Sequence, residues 1–434
     1  MAWPFIIANA SVPLLGVVDT AVIGNTGSVI DLGAIALGAL IFSFVYWSFG
    51  FLRMGTTGFV AQATGAGDQE EVRAIFGRAG LIALAVGTAL LLLQVPIGAI
   101  SFSFLSGDEA VESVASTYFF TRIWGAPATL IIFVIMGVLI GLGESRELLK
   151  LQLFLNGSNM VLDIIAAGFL GLGAQGIALG TVTAEVSTCC LGFYRLRSHL
   201  ANRGDLRGMS GEFWPWHRIR KMSQMWALIS ANIDIMIRTL LLVFAFAYFT
   251  NEAAKYGVVA LAATHIVLQI MAFTAFFLDG FAYVAEAETG QSYGAKDKQL
   301  FNVALHKTTV LAGVTAALLA ILVAIAGGAL VEVLTDLTEV VLLAKALLPI
   351  CAIYVMASFP AFQLDGVFIG TSRTREMRDA SIWSVIVFLL AVWVLGNMLG
   401  LEGLWWGMVV FVVARALSLW LYFAKVTERF NSLA

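Results

Sequence analysis

The fold predicted by the sequence is an all-α integral membrane protein, with twelve transmembrane helices in two six-helix bundles related by a pseudo-two-fold axis along the membrane normal. Three observations predict it. The 434 residues are 60% hydrophobic and only 12% charged, with a mean hydropathy of +0.92, whereas soluble domains carry about 25% charged residues. Apolar runs of roughly 20 residues or more, enough to cross a bilayer, recur between short polar breaks. The two halves also repeat: AQATGAGD (61–68) aligns with GQSYGAKD (290–297), and GVLIGLGESRE (137–147) with GVFIGTSRTRE (366–376), both at an offset of 229. An even number of helices per half gives both copies one orientation, which sets the axis along the membrane normal and leaves a cavity between the bundles.

The elements follow in chain order. The first helix, near 3–24, begins MAWPFI with neither a basic leader nor a small-residue cleavage site, so it is expected to be retained. It carries one carboxylate, Asp19, in an otherwise apolar span, where an ionisable group is costly and marks function by default. Pro13, six residues earlier, removes a backbone donor and leaves the Asn9 carbonyl without its helical partner, so this helix can bend. Helices near 32–62, 76–105 and 112–141 follow, the last with Arg122. The fifth, near 149–171, contains LNGSNMVLD, whose spacings set Asn156, Asn159 and Asp163 on one face. The sixth, near 174–197, holds Thr181 and Glu185. A polar, basic stretch from Ser198 to Lys221 reads as a cytoplasmic linker between an N-terminal lobe, 1–197, and a C-terminal lobe, 217–434. The remaining helices are expected near 217–249, 257–288, 299–334, 338–370, 379–399 and 402–427.

Basic residues set the orientation. With both termini cytoplasmic, only Lys255 and Lys345 fall outside and Arg53, Arg122, Arg238 and Arg415 lie within spans, so nineteen of the 25 Lys and Arg face the cytoplasm. The cysteines, Cys189, Cys190 and Cys351, all lie in apolar spans and support neither a disulfide framework nor a zinc site. Four dispersed histidines show no metal spacing, and the Gly-rich stretches lack a P-loop pattern, so an enzyme or an ATP-driven pump is not expected and no cofactor is called for.

Charge accounting singles out the first lobe. Asp19, Asp163 and Thr181 each lie roughly 10 Å from the outer ends of their helices at 1.5 Å per residue. Three acids, Asp19, Asp163 and Glu185, face one guanidinium, Arg122, so pairing neutralises at most two of them. Any remaining acid holds a proton, which burial and like charge both favour, or joins Asn159 and Thr181 in a hard-oxygen shell for Na+. H+ and Na+ both stay open, and a network that only fixes helix packing is the competing reading. The eleventh helix has no charged residue from Ser381 to Gly400, so ion coupling is assigned to the first half. In the second half, Asp234 and Arg238, one turn apart, are expected to satisfy each other. Asp279 and Glu286 are expected to line the cavity or to pair with Arg53, and Asp365 to serve a gate, a contact between halves or a ligand contact.

These residues carry a likeness. VPLLGVVDTAVIG (12–24), FLRMGTTGFVAQATGA (51–66), LNGSNMVLD (155–163), GAQGIALGTVTAE (173–185), LDGFAYVAEAETGQSYGA (278–295) and LDGVFIG (364–370) together resemble the multidrug and toxic compound extrusion (MATE) family, DinF-type branch. The resemblance implies two six-helix lobes that export amphipathic, often cationic compounds in exchange for H+ or Na+. It also implies a coupling site at Asp19, Asn159 and Asp163, with Thr181 matching a family hydroxyl. It departs where some relatives carry a fourth-helix Asn, here Met136, and where other branches place acids at Asp234 and Ser358. The expected function is a secondary multidrug exporter working by alternating access; the alternative is a flippase for lipid-linked precursors, which a polar, basic cavity would favour. The expected partners are the bilayer and small amphipathic or cationic drugs, with no nucleic acid, for a monomer in the inner (plasma) membrane.

Overall fold

The computed structural model describes residues 2–104, 108–203 and 213–431, all without β-strands. The side chain of Pro13 and linker positions 204–212 lie outside the described residues. The chain divides into two compact units, Trp3–Ile229 and Ser230–Ala434.

In the first unit α1 is Ala2–Thr26, and α2 has two segments, Val29–Ser48 and Phe51–Gly65. α3 runs Gln69–Leu92 and resumes as Gln94–Phe104. α4 is Glu109–Arg122 and Ala126–Gly141, joined by a 3-10 turn, Ile123–Gly125. The break follows from Pro127, which has no N–H to offer the carbonyl four residues back. α5 is Ser145–Asp163 with a π-helical end, Ile164–Phe169, and α6 is Gly173–Arg203. The chain then supplies α7 (Met222–Ala254), α8 (Val258–Gly294), α9 (Lys298–Leu334), α10 (Thr338–Gly370), α11 (Thr374–Leu399) and α12 (Leu401–Asn431). Among the described residues eleven spans, α2 to α12, are long and apolar enough to cross a membrane, and the 25-residue α1 precedes them. On α9 the apolar side chains Leu311, Val314, Leu318 and Ile325 are more than half exposed, as a lipid-facing surface requires. The second unit's core packs Phe249 edge-on to Trp405 and Phe388 against Phe411.

Several helices start earlier than hydropathy places them, because their first turns are polar. Asp68 accepts the N–H of Glu71 (3.0 Å) and so starts α3 at Gln69, seven residues before the apolar run; Asp297 accepts that of Leu300 (2.9 Å) and starts α9. These two caps are the repeated Asp of the sequence motif.

The repeat is physical in other ways. A Cβ on Gly137 would overlap the Arg53 carbonyl and one on Gly141 that of Thr57, so these glycines let α2 and α4 touch backbone to backbone. Gly366 and Gly370 do the same to Ala282 and Glu286, between α8 and α10, with all four residues displaced by the same 229 positions. The left-handed residues that end α2 and the second segment of α4, Gly67 (φ 73°) and Gly143 (φ 76°), reappear as Lys296 (φ 58°) and Ser372 (φ 54°). The second half keeps the backbone geometry without the glycine that makes it cheap.

The end of the linker is fastened to the first unit. Trp214 packs on Phe76 (5.5 Å between ring centroids), and Arg218 pairs with Asp68 (2.6 Å) and Glu70 (3.0 Å). Partial burial pushes the Asp68 carboxyl up, but the Arg218 hydrogen bond and the Glu71 N–H outweigh it and hold the group below the usual carboxylate range. A lowered folded value stabilises above the unfolded pKa and is lost as pH falls through the folded one. Arg218→Ala is therefore expected to lower stability by up to about 1 kcal/mol at pH 7, the ceiling for an exposed pair. Thermal unfolding in detergent should show the gap to wild type closing below about pH 4, where carboxylates protonate.

Candidate functional site

The polar face of α5 meets α1, α4 and α6 inside the first unit. Asn159 and Asp163 are fully buried, at 1% and 0% exposure, and Asn156 and Glu185 nearly so. Asp163 is seated by Gly180 on α6, where a Cβ would overlap its Oδ1, and the α5 helix widens into its π-helical end immediately after it. With the Asn159 amide turned so that both ends are satisfied, its nitrogen donates to Asp163 Oδ2 (3.0 Å) and its oxygen accepts from Thr181 Oγ1 (3.0 Å). The single Thr181 hydroxyl proton is shared between that oxygen and the Ile177 carbonyl (2.8 Å). Asp19, half-buried on α1, comes within carboxyl-to-carboxyl hydrogen-bond reach of Asp163.

Two carboxyl groups in contact attract each other only with a proton or a cation between them. Among the described residues, no hydrogen-bond donor reaches the buried Oδ1 atoms of Asp19 and Asp163. The guanidinium of Arg122 acts on both aspartates but is committed elsewhere. It forms a two-pronged pair with Glu185, Nη1 to Oε2 and Nη2 to Oε1, each 2.7 Å. The rings of Phe42 and Tyr46 flank it at 5.2 and 5.4 Å, and Gly125 leaves the space that the Glu185 carboxylate fills.

A family model described as MatE matches residues 4–165 and 235–395, one stretch in each unit. The chain belongs to the MatE family. Members of the MatE family are transporters, not enzymes. The chain is 37% identical over 424 residues to DNA damage-inducible protein F of Escherichia coli (strain K12), covering 96% of this chain and 90% of that one. It is 22% identical to the probable multidrug resistance protein NorM of Xanthomonas campestris pv. campestris, covering 100% and 94%. Among solved structures it is similar to a MOP superfamily transporter from Pyrococcus furiosus, with TM-score 0.87, 17% identity and coverage of 99% and 95%. It is equally similar to the Vibrio cholerae MATE transporter VcmN in the bent form, with TM-score 0.87, 20% identity and coverage of 99% and 96%. The solved likenesses carry the fold.

The second unit of this MatE chain lacks a counterpart of the aspartate pair. Where Gly180 seats Asp163, the repeat-equivalent Gly407 on α12 packs over Val392 of α11. Its charges are arranged otherwise, and the expected pairing of Asp234 with Arg238 is corrected. Asp234 accepts from Arg378 Nη1 (2.7 Å) and Thr374 Oγ1 (3.1 Å) at the start of α11. Arg238 reaches the other way to Asp365 of α10, which also takes Arg415 of α12. Two residues one turn apart can touch, but each here finds a partner on a neighbouring helix, and a buried charge gains more from that added contact. Asp279 is half-buried and its charge acts on Arg415, while Glu286 is buried beneath Gly370. Arg53 is buried in α2, where its carbonyl accepts the Thr57 hydroxyl (2.9 Å). Arg415, Tyr46 and the seating glycines were not legible as site residues. For Arg415 the only signal in the sequence is a lone arginine in an apolar span.

Proposed function

We propose that the chain is a cation-coupled secondary exporter of amphipathic, cationic drugs. It lies in the inner (plasma) membrane with both termini cytoplasmic and has the Asp19–Asp163 pair as its coupling site. Loading and unloading the pair changes how α1 rests on α5, and a ligand drives that change only by binding one arrangement better than the other. The pair's mutual contact, with two buried oxygens that no donor reaches, carries this reading. Drug-resistance relatives and solved relatives described as straight and bent support it.

The donor set favours H+ over Na+. Asn159 offers Asp163 an N–H while its oxygen is taken by Thr181. Among the described side chains that leaves the carboxylate oxygens, short of the six or so oxygens that a hard cation gathers. The test is transport of ethidium by reconstituted protein with a pH gradient and a Na+ gradient imposed separately. The pH gradient alone is expected to drive it; transport driven by Na+ at clamped pH overturns the assignment of the ion.

A further inference from the structure

The buried polar face of α5 does not end at the aspartate pair. It continues below it to Gln152, which the sequence reading passed over. Gln152, Asn156, Asn159 and Asp163 are at most 7% exposed and fall at spacings of four, three and four on one helical face. They span eleven residues, about 16 Å at 1.5 Å per residue.

The rungs are hydrogen-bonded. Gln152 Nε2 donates to Asn156 Oδ1 (3.4 Å), and Asn156 Nδ2 donates to Ser11 Oγ on α1 (2.7 Å). Ser11 meets Asn156, and eight residues on, Asp19 meets Asp163, seven residues beyond Asn156. The two helices therefore run in the same direction along one seam, with polar contact at two levels. At the end where α5 begins, a cavity of about 300 Å³ opens between α4, α5 and α6. Its walls include Glu147, Arg195 and His199, and it reaches Leu151, the neighbour of Gln152 in the chain.

A polar file of this kind is costly in an apolar span, and its lower two members, Gln152 and Asn156, hydrogen-bond each other and Ser11 rather than the aspartate pair. The charged and titratable groups around the pair, Arg122, Glu185, Tyr46 and Tyr118, come from α2, α4 and α6 and lie off this seam.

We propose that Gln152 and Asn156 form the inward limb of the proton path, a hydrophilic seam between α1 and α5 that links the aspartate pair to the cavity at the cytoplasmic end. This rests on the reading of Asp19 and Asp163 as the coupling site and on the orientation given above. The proton leaving Asp163 passes to water held along the seam and then to the cavity. The amides order that water through hydrogen bonds and give up no proton themselves.

The test uses the full chain in proteoliposomes, with tetraphenylphosphonium as substrate and an internal pH dye. Gln152→Met and Asn156→Leu keep the shape and remove the polarity. Each is expected to slow substrate-driven proton flux by about tenfold or more, a barrier rise of about 1.4 kcal/mol. The pH dependence of thermal unfolding, which reads proton binding at the pair, is expected to keep its wild-type midpoint in Gln152→Met. Asn156→Ser, which stays polar and leaves room for water, is expected to retain flux within about twofold, well inside one tenfold step. Wild-type flux in either apolar variant overturns the path, as does equal loss in Asn156→Ser. If Asp163→Asn leaves that midpoint unmoved, the coupling site itself is misassigned, an outcome readable independently of the seam.

Discussion

Asp163→Asn is expected to abolish ion-driven drug export while leaving the protein folded, and Asp19→Asn to do the same. The two carboxyl groups meet inside the first unit and no neighbouring donor reaches their Oδ1 atoms. An amide at either position keeps the size of the side chain and can hydrogen-bond the remaining carboxylate, so the contact survives without an exchangeable proton. The site is then held permanently in one state, and the coupled step loses its driving force. A loss of about 100-fold or more in coupled flux is expected, equivalent to some 2.7 kcal/mol on the limiting barrier. Thermal stability should stay near wild type, because the amide keeps the size of the side chain and a hydrogen bond to the remaining carboxyl. Coupled flux that persists in both variants, measured with the pH gradient alone, excludes the pair as the coupling site.

What the sequence revealed depended on the range of the physics involved. Helical spacing is local, so Asn159 and Asp163 on one face could be read directly, and the depth of Asp19 followed from counting residues. The structure brings these together with Thr181. The 229-residue offset was visible as letters, but its meaning was not: it is a pair of N-caps, two pairs of glycines under a neighbouring backbone, and two pairs of left-handed turns. Polar first turns were lost to a hydropathy reading, which places α3 too late because Gln69 to Arg73 are hydrophilic yet helical. Partner choice was the least legible. Asp234 and Arg238 are adjacent by spacing, but each is claimed by a helix more than 120 residues away in the chain. Gln152 escaped for a related reason, since one amide near a helix end looks like an interfacial residue until its burial and its bond to Asn156 are seen.

The buried pair of Arg122 and Glu185 is where a single substitution should cost most in stability. Both groups are nearly inaccessible, and both prongs of the guanidinium are used. Glu185→Leu fills similar space but strands the cation between Phe42 and Tyr46, where ring faces and a long contact to the Tyr46 hydroxyl (3.5 Å) cannot replace a carboxylate. Arg122→Met strands the anion instead. Either is expected to lose about 3–5 kcal/mol, the usual cost of leaving half of a buried pair. Replacing both removes the two charges together, so the double variant should recover most of that loss. A double-mutant cycle in mixed micelles measures this, and additive losses would mean that the pair does not act as a unit. The double variant also separates stability from coupling. Among the described residues Arg122 is the cation whose charge reaches both Asp19 and Asp163, so a protein that folds well without it should still shift the pH dependence of export.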